Sequence, residues 1–349
     1  MGHDLPLPSP QPSPASGRGS ATPPSPPQGE RVGVRGRAPR RPLHGVLLID
    51  KPLGWTSHDA LAKAKGLLRA AKGGHTGTLD PLATGLLPLA FGAATKFAQI
   101  NLDANKRYRA TLRLGERTST GDGEGEVIER RDVACDAGDI AAVLARLTGR
   151  IEQLPPMHSA LKLGGRALYD YARAGVEVER TPRQVTIHRI DLVEWQSPQL
   201  VLDVHCSKGT YLRALAEDIG AALGCGAMLA ALRRTASGPF DIAGAITIDA
   251  LAALDEPARE ARLLGTDTLL AGWPAVRLPD DEAGRFLTGL RRRVALADAA
   301  AVRVYATTPH SAHAGAFDPR AFLGSAHILA GELIADRLLS PLEVQAARA

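Results

Sequence analysis

Strand-like and helix-like segments are intermixed along this chain without a regular strand-helix-strand repeat. Residues 106–115, KRYRATLRLG, alternate apolar and polar side chains with a period of two, which is typical of a strand with one wet face. The segments QVTIHRIDLVEW and LVLDVHC predict a pair of strands, and SKGTYLRALAEDIGAALG then carries apolar residues at helical spacing. Because a doubly wound sheet needs a regular repeat, this order favours an α+β fold with a mixed, largely antiparallel sheet.

The region before these strands predicts a strand, a helix, a loop and a second strand. The apolar run Val46–Ile49 ends in charge and proline, as a short buried strand does. Thr56 or Ser57 can cap a helix that runs to about Ala70. Residues 73–85 are dense in Gly, Thr and Pro and predict a loop, after which residues 86–92 return to a strand.

A second glycine-rich segment, residues 117–126, is acidic. Asp122, Glu124 and Glu126 do not follow the twelve-residue ligand pattern of a calcium loop, so we interpret them as a solvated acidic turn.

The first 43 residues differ in composition from the rest of the chain. They hold 11 of the 25 prolines and no continuous apolar segment of the secretory type, which predicts a disordered extension and a cytoplasmic protein. They also hold six arginines against two acidic residues, which accounts for +4 of the net charge of +5. The net charge is therefore weak evidence for nucleic-acid binding, and any nucleic-acid site on the folded part must be a local basic patch.

Several other classes of protein are excluded by missing patterns. No apolar run reaches the ~18 residues of a membrane-spanning helix. The three cysteines, Cys135, Cys206 and Cys225, lack CxxC spacing, and the histidines form no HExxH pair, so neither a disulfide framework nor a metal site is predicted. The glycine patterns of a P-loop and of a dinucleotide-binding turn are also missing.

The predicted loop before residue 86 is the strongest candidate site. Its carboxylate, Asp80, lies between glycines that permit close backbone approach to a ligand and Pro81, which stiffens the chain. From spacing alone, an aspartate that only caps a turn is an equally good interpretation.

The motif GHTGTLDPLATGLLP, residues 74–88, resembles the signature of the TruB-type pseudouridine synthases. The segments GVLLIDKPLGWTSHDAL, ATKFAQ, KRYRATLRLGERTSTGD, PPMHSALKLGGRALYDYARAG, HCSKGTYLRALAEDIG and GCGAMLAALRRTASGPF are similar to the same family in the same order. The resemblance covers about residues 44–240. It extends more loosely into a C-terminal PUA-like β-barrel, where residues 308–313 interrupt it.

The resemblance implies a domain order and an activity. The order is a disordered extension over residues 1–43, a catalytic domain over 44–250, a helical linker over 251–274 and a PUA-like RNA-binding domain over 275–349. The activity is conversion of the T-loop uridine at tRNA position fifty-five to pseudouridine, without a cofactor or a metal. We expect a cytoplasmic monomer that binds the T-loop and stem of tRNA and no membrane.

The resemblance also assigns residues. It implies that Asp80 is the catalytic carboxylate and that Arg213 pairs with it, which opposes protonation of a carboxylate in a water-poor pocket. Tyr108 matches the tyrosine that stacks on the extruded base, and its phenol is a candidate for moving the proton on the base carbon. The other residues implied to bind substrate are His75, Tyr211, Leu232, Lys51 and Lys96.

Lys51 and Lys96 could form a local phosphate-binding patch together with further basic residues. The further residues are Arg107, Arg109, Lys162, Lys208, Arg233 and Arg234.

Two alternative functions remain open at this level. The scaffold could serve as a non-catalytic module that binds and refolds tRNA, or Asp80 could hydrolyse a nucleoside bond. The first would bind tRNA without making pseudouridine, and the second would release free uracil.

Overall fold

The computed structural model describes residues 39–348, except residues 160, 177 and 308–320. The strands are β1 (Gly45–Lys51), β2 (Gly73–His75), β3 (Ala83–Phe91), β4 (Lys106–Leu114), β5 (Glu116–Thr118), β6 (Val127–Arg130), β7 (Gly149–Gln153), β8 (Lys162–Leu163), β9 (Arg166–Ala167), β10 (Arg183–Gln196), β11 (Gln199–Cys206), β12 (Ala227–Ser237), β13 (Phe240–Asp241), β14 (Ile246–Thr247), β15 (Ala275–Leu278), β16 (Arg292–Arg293), β17 (Ala299–Ala306), β18 (Phe322–Leu329) and β19 (Glu332–Leu338).

The helices are α1 (Ser57–Leu67), α2 (Ala98–Asp103), α3 (Ala137–Arg146), α4 (Leu168–Arg173), α5 (Leu212–Ala222), α6 (Ile248–Ala253), α7 (Glu256–Glu260), α8 (Asp280–Leu287) and α9 (Pro341–Arg348). Short 3-10 helices cover Gly92–Phe97, Ile242–Gly244 and Thr266–Leu270.

A large mixed sheet forms the centre of the molecule. Its strands lie in the order β14-β1-β3-β12-β4-β11-β10-β7, with β2 beside β3 and β13 beside β12. The pairs β1 with β14 and β3 with β12 are parallel, and the other pairs are antiparallel. The predicted α+β fold with a mixed, largely antiparallel sheet is therefore confirmed.

Residues Val46–Ile49 of strand β1 are all apolar because this part of the strand is buried on both faces. Val46 and Leu48 pack on the side of the C-terminal sheet, whereas Leu47 and Ile49 pack against α1 and α6 on the other side. Helix α1 begins where Thr56 caps it, since the Thr56 hydroxyl accepts from Asp59 N and the Asp59 carboxylate accepts from Thr56 N.

The C-terminal part forms a second sheet of five strands, in the order β15-β17-β18-β19-β16. Its apolar face joins Phe286, Val304 and Phe322 in one core with Val46 and Phe97 of the large-sheet region. The residues between the sheets are helical, as α6, α7 and the 3-10 helix Thr266–Leu270.

Three sequence predictions need correction. Residues Gly73–His75 were expected in a loop but pair with β3 as a strand. The acidic segment is solvated only in part, because β5 and β6 flank it as a hairpin and Asp122 is only 3% exposed, whereas Glu124 and Glu126 are exposed as predicted. Residues 39–43 were expected in the disordered extension, but Arg41 pairs with Glu256 and Glu260.

Some predictions fall on other parts of the chain. The predicted disordered extension up to residue 38 and the interruption at residues 308–313 lie outside the described residues. Among the described helices, none combines the length and the apolar composition needed to cross a membrane.

Candidate active site

A cavity of about 390 Å³ opens beside the loop that joins β2 to β3. It brings together six of the residues predicted from the sequence, which are Asp80, Tyr108, Tyr211, Arg213, Leu232 and, from the predicted basic patch, Arg234. These residues come from a loop, from the central strands β4 and β12, and from the start of α5. The cavity therefore exists only when the large sheet and α5 are assembled.

The Asp80 carboxylate is held by the guanidinium of Arg213. Arg213 Nη2 lies 2.9 Å from Asp80 Oδ2 and also donates to the carbonyl of His158 at 2.7 Å. The Arg213 side chain is 8% exposed, whereas that of Asp80 is 51% exposed. The arginine is thus a buried, fixed cation, and the carboxylate still faces the solvent from which a substrate would enter.

A second carboxylate contacts the same guanidinium. Asp122 Oδ2 lies 3.4 Å from Arg213 Nη1, and the Asp122 side chain is only 4% exposed. The Thr120 hydroxyl and the Glu124 N–H both donate to Asp122 Oδ1. Sequence reasoning missed this residue, although a carboxylate followed by a backbone donor two residues on is the local pattern of a structured turn.

The start of α5 explains how Tyr211 and Arg213 reach the same cavity. Tyr211 is the last extended residue, with φ −99° and ψ 113°, and the helix begins at Leu212. The buried Gln153 side chain binds the Tyr211 backbone, because Oε1 accepts from Tyr211 N at 3.0 Å and Nε2 donates to Tyr211 O at 3.4 Å. This turn from strand to helix aims both side chains inward.

Tyr108 and Leu232 reach the cavity from adjacent antiparallel strands. Tyr108 on β4 is the cross-strand partner of Arg234 on β12, and Leu232 lies two residues before Arg234. Burial raises the pKa of the Tyr108 phenol, and burial likewise raises the pKa of Tyr211. Both rings are therefore neutral surfaces in this cavity at ordinary pH.

Three other predicted residues do not line the cavity, and these are Lys51, His75 and Lys96. Lys51 is fully buried and donates to the carbonyls of Pro52 and Trp55. Burial lowers the pKa of Lys51 to about 8, and the negative charge of Asp80 opposes this shift. His75 lies on β2, and burial lowers its pKa from the ordinary value of a histidine.

Lys96 does not contact the cavity, although the resemblance implied that it binds substrate. Its ammonium donates to the carbonyl of Leu338 at 2.9 Å and pairs with Glu343 at 2.6 Å. It joins the 3-10 helix Gly92–Phe97 to the C-terminal sheet and α9, so its charge is already used inside the protein.

The predicted basic patch is also partly internal. Arg234 is 1% exposed and donates to the backbone carbonyls of Leu86, Thr78 and Gly77. Arg233 and Arg109 are salt-bridged to Asp50 and Asp203. The period of β4 places Arg107 and Arg109 on the face opposite Tyr108.

Lys208 pairs with Asp103, while the Lys162 side chain lies outside the described part. Within the residues that the structure covers, no three His, Cys, Asp or Glu side chains are grouped as ligands of a metal ion.

Comparison with known families gives two matches along the chain. A family model described as "TruB family pseudouridylate synthase (N terminal domain)" matches residues 65–212. A second, described as "tRNA pseudouridylate synthase B C-terminal domain", matches residues 213–271. The border between them falls inside the cavity wall, between Leu212 and Arg213.

Two proteins with similar sequences are both named tRNA pseudouridine synthase B. The tRNA pseudouridine synthase B of Cupriavidus pinatubonensis is 58% identical over 258 residues, which is 73% of this chain and 82% of the relative. The tRNA pseudouridine synthase B of Verminephrobacter eiseniae is 54% identical over 319 residues, which is 89% of this chain and 93% of the relative.

Solved structures with a similar fold are more distant in sequence. A chain from the crystal structure of a Cbf5-Nop10-Gar1 complex has a TM-score of 0.65 at 24% identity, covering 86% of this chain and 87% of that one. A chain of an H/ACA RNP bound to a substrate RNA containing 2′-deoxyuridine has a TM-score of 0.64 at 23% identity, covering 86% of each. These similarities establish the fold.

Proposed function

Because this chain belongs to the TruB family of pseudouridine synthases, we propose that it isomerises the T-loop uridine at tRNA position fifty-five to pseudouridine without a cofactor. The name that its relatives share, tRNA pseudouridine synthase B, supports tRNA as the substrate. The observation that carries the proposal is the 2.9 Å contact between Arg213 Nη2 and Asp80 Oδ2 at the wall of the cavity.

The reaction needs one anionic group at the sugar. The bond from C1′ to N1 of the base breaks, the base turns, and a bond from C1′ to C5 forms. C5 loses a proton and N1 gains one, so substrate and product are isomers and no oxidant or energy source is consumed. An ionised carboxylate can attack the sugar, attack the base or take a ribose proton. Asp80 supplies this carboxylate at the cavity wall, and the guanidinium of Arg213 places a positive charge beside it.

The cavity suits a single extruded nucleotide. Its volume of about 390 Å³ lies within the ~300–1,000 Å³ of typical small-ligand pockets, so it would hold one nucleotide and not a helical stem. A uridine inside a folded RNA loop must therefore leave its stack. In our proposal the ring of Tyr108 supports the base, and Tyr211 and Leu232 complete the wall. His75 contacts the RNA just outside the cavity.

The RNA beyond the flipped nucleotide would contact a wider surface. We place the T-stem of tRNA along the cavity rim and assign RNA contacts to residues 275–349, where Arg291 and Arg293 are exposed. We also propose that the chain acts as a monomer. The cytoplasm is the compartment that this substrate implies.

The test is to incubate a single tRNA transcript with purified protein in buffer, without added cofactor, and to map pseudouridine. We expect one pseudouridine in the T-loop and release of one equivalent of tritium from C5-labelled uridine. Free uracil would instead identify a hydrolase. Tight tRNA binding without any pseudouridine would identify a binding or folding module, and either result would overturn the proposal.

A further inference from the structure

The loop that carries Asp80 is held through its backbone carbonyls. Each carbonyl from residue 77 to residue 81 accepts a hydrogen bond from another part of the chain or from the following turn. The donors are Arg234 Nη2 to Gly77 O (3.1 Å), Arg234 Nη1 to Thr78 O (3.3 Å), Ser57 Oγ to Leu79 O (3.1 Å), Ala83 N to Asp80 O (3.0 Å) and Gly54 N to Pro81 O (2.9 Å). The shape of this loop is therefore specified residue by residue.

Arg234 makes two of these five contacts and anchors them to the sheet. Its Nε donates to Leu86 O on β3 at 2.7 Å, so one planar group joins the loop to the strand that follows it. A guanidinium offers five donors in a rigid fork, whereas a lysine offers three donors on one nitrogen. The side chain is 1% exposed, so water does not compete for these carbonyls.

Ser57 holds the loop from the opposite direction. Its hydroxyl accepts from Leu79 N at 2.8 Å and donates to Leu79 O at 3.1 Å, and the residue is 2% exposed. Ser57 is the first residue of α1, whose start is fixed by the Thr56 and Asp59 capping box. The helix thus gives the loop a rigid support beside Asp80.

The geometry assigns Arg234 the role of a positioning residue, which fixes the loop carbonyls of Gly77 and Thr78 so that the Asp80 carboxylate meets the reacting sugar. Arg213 orients the carboxylate itself, and Arg234 determines where the backbone carries it. This role replaces the phosphate contact expected from the sequence. The inference rests on the proposed function, because the rate of pseudouridine formation reports the position of Asp80.

The experiment compares Arg234→Lys with a matched control, Arg259→Lys. Arg259 also donates to three backbone carbonyls, those of Leu251, Leu67 and Ala252, but it lies on α7 and does not line the cavity. For each variant we would measure three quantities: the single-turnover rate at saturating tRNA, the Kd for tRNA, and the melting temperature.

We expect Arg234→Lys to lower the single-turnover rate about 100-fold, the size of effect that a displacement of about 1 Å can cause. The Kd for tRNA should change by no more than about threefold, because Arg234 is only 1% exposed and its guanidinium is bonded to the loop carbonyls. Arg259→Lys should lower the melting temperature without changing the rate per folded molecule.

Two outcomes would overturn the inference. One is an Arg234→Lys rate within about threefold of the parent. A positive charge at position 234 would then be enough for the reaction, without the forked donors of a guanidinium. The other is an equal loss of rate in Arg259→Lys, which would trace the effect to general destabilisation. If Arg234→Lys does not fold, Ser57→Ala tests whether the position of the loop controls the rate, because it removes the contacts at Leu79, and a rate within about threefold of the parent would then overturn the inference. A parent protein that makes no pseudouridine would refute the proposed function instead.

Discussion

The region around the cavity and the C-terminal sheet bury different kinds of side chain. Around the cavity the buried residues include Lys51, Asp122, Arg213 and Arg234, each less than a tenth exposed. The core of the C-terminal sheet is built from Phe286, Val304, Phe322 and other apolar side chains. Its main polar feature is the hydrogen bond from the Tyr305 hydroxyl to the buried Asp267 carboxylate at 2.7 Å.

In the proposed function, this difference distinguishes the region of the cavity, where the chemistry would take place, from the C-terminal core, whose apolar packing contributes stability. Burying a charge costs free energy unless hydrogen bonds and opposite charges compensate it, and the charges buried around the cavity have such partners. Apolar burial carries no such cost. Substitutions in the two regions should therefore affect different measurements, rate in the first and stability in the second.

The largest effect is expected at Asp80. The Asp80→Asn variant keeps the shape of the side chain but loses the anion, so pseudouridine formation should fall on the order of 10⁴-fold or more. The measurement is tritium release from C5-labelled uridine in tRNA, with filter binding of the same tRNA as the control. Turnover close to that of the parent would remove Asp80 from the mechanism.

A smaller loss of rate is expected when the cation that holds Asp80 changes shape. Arg213→Lys keeps the charge but cannot contact Asp80, Asp122 and the His158 carbonyl together, so the single-turnover rate should fall about 100- to 1,000-fold. Binding of tRNA should change much less than the rate. A variant with the parent rate would show that a point charge is enough.

The next effect concerns the carboxylate behind Arg213. Asp122→Asn removes the charge of a buried partner 3.4 Å from Arg213 Nη1 while keeping its size. We expect a rate loss of about 10-fold, the size that accompanies loss of about 1.5 kcal/mol from a charged hydrogen bond. Thr120→Val, which removes only the hydroxyl bonded to Asp122, is a graded control and should lose less.

The smallest effect on rate is expected in the C-terminal sheet, where stability should change instead. Phe286→Ala leaves a cavity in the apolar core, and the free energy of unfolding should fall by about 3 to 5 kcal/mol. Urea unfolding measures this loss, and the rate per folded molecule should match the parent below the melting temperature. A rate loss without a stability loss would contradict the division between the two regions.

The fold was largely predictable from the sequence, because its signals are periodic. The alternation in β4 and the helical spacing in α5 depend on burial of one face, and both elements appear where the patterns predict them. Gly73–His75 was missed because three residues are too few to show a period, and only pairing with β3 makes them a strand.

The candidate site was predictable only in part. The resemblance named Asp80, Tyr108, Tyr211, Arg213 and Leu232, and the structure gathers these five around one cavity. Their roles in the reaction stay predictions.

Other site residues were misread because the sequence gives no direct signal of tertiary burial. An acidic turn and a pair of adjacent arginines look like solvated surface, yet Asp122 and Arg234 are buried by contacts with distant parts of the chain. Lys96 was expected to bind substrate, but its ammonium contacts Glu343 and the carbonyl of Leu338, which lie far along the sequence.

The central claim is that the cavity beside Asp80 receives one nucleotide swung out of the T-loop. A crystal structure of the Asp80→Asn variant bound to a T-arm hairpin tests this directly, because that variant should bind RNA without converting it. We predict one uridine in the cavity, its base against the Tyr108 ring and its C1′ about 3 to 4 Å from the side chain at position 80. A T-loop with every base stacked in place, or a nucleotide bound elsewhere, would contradict the account.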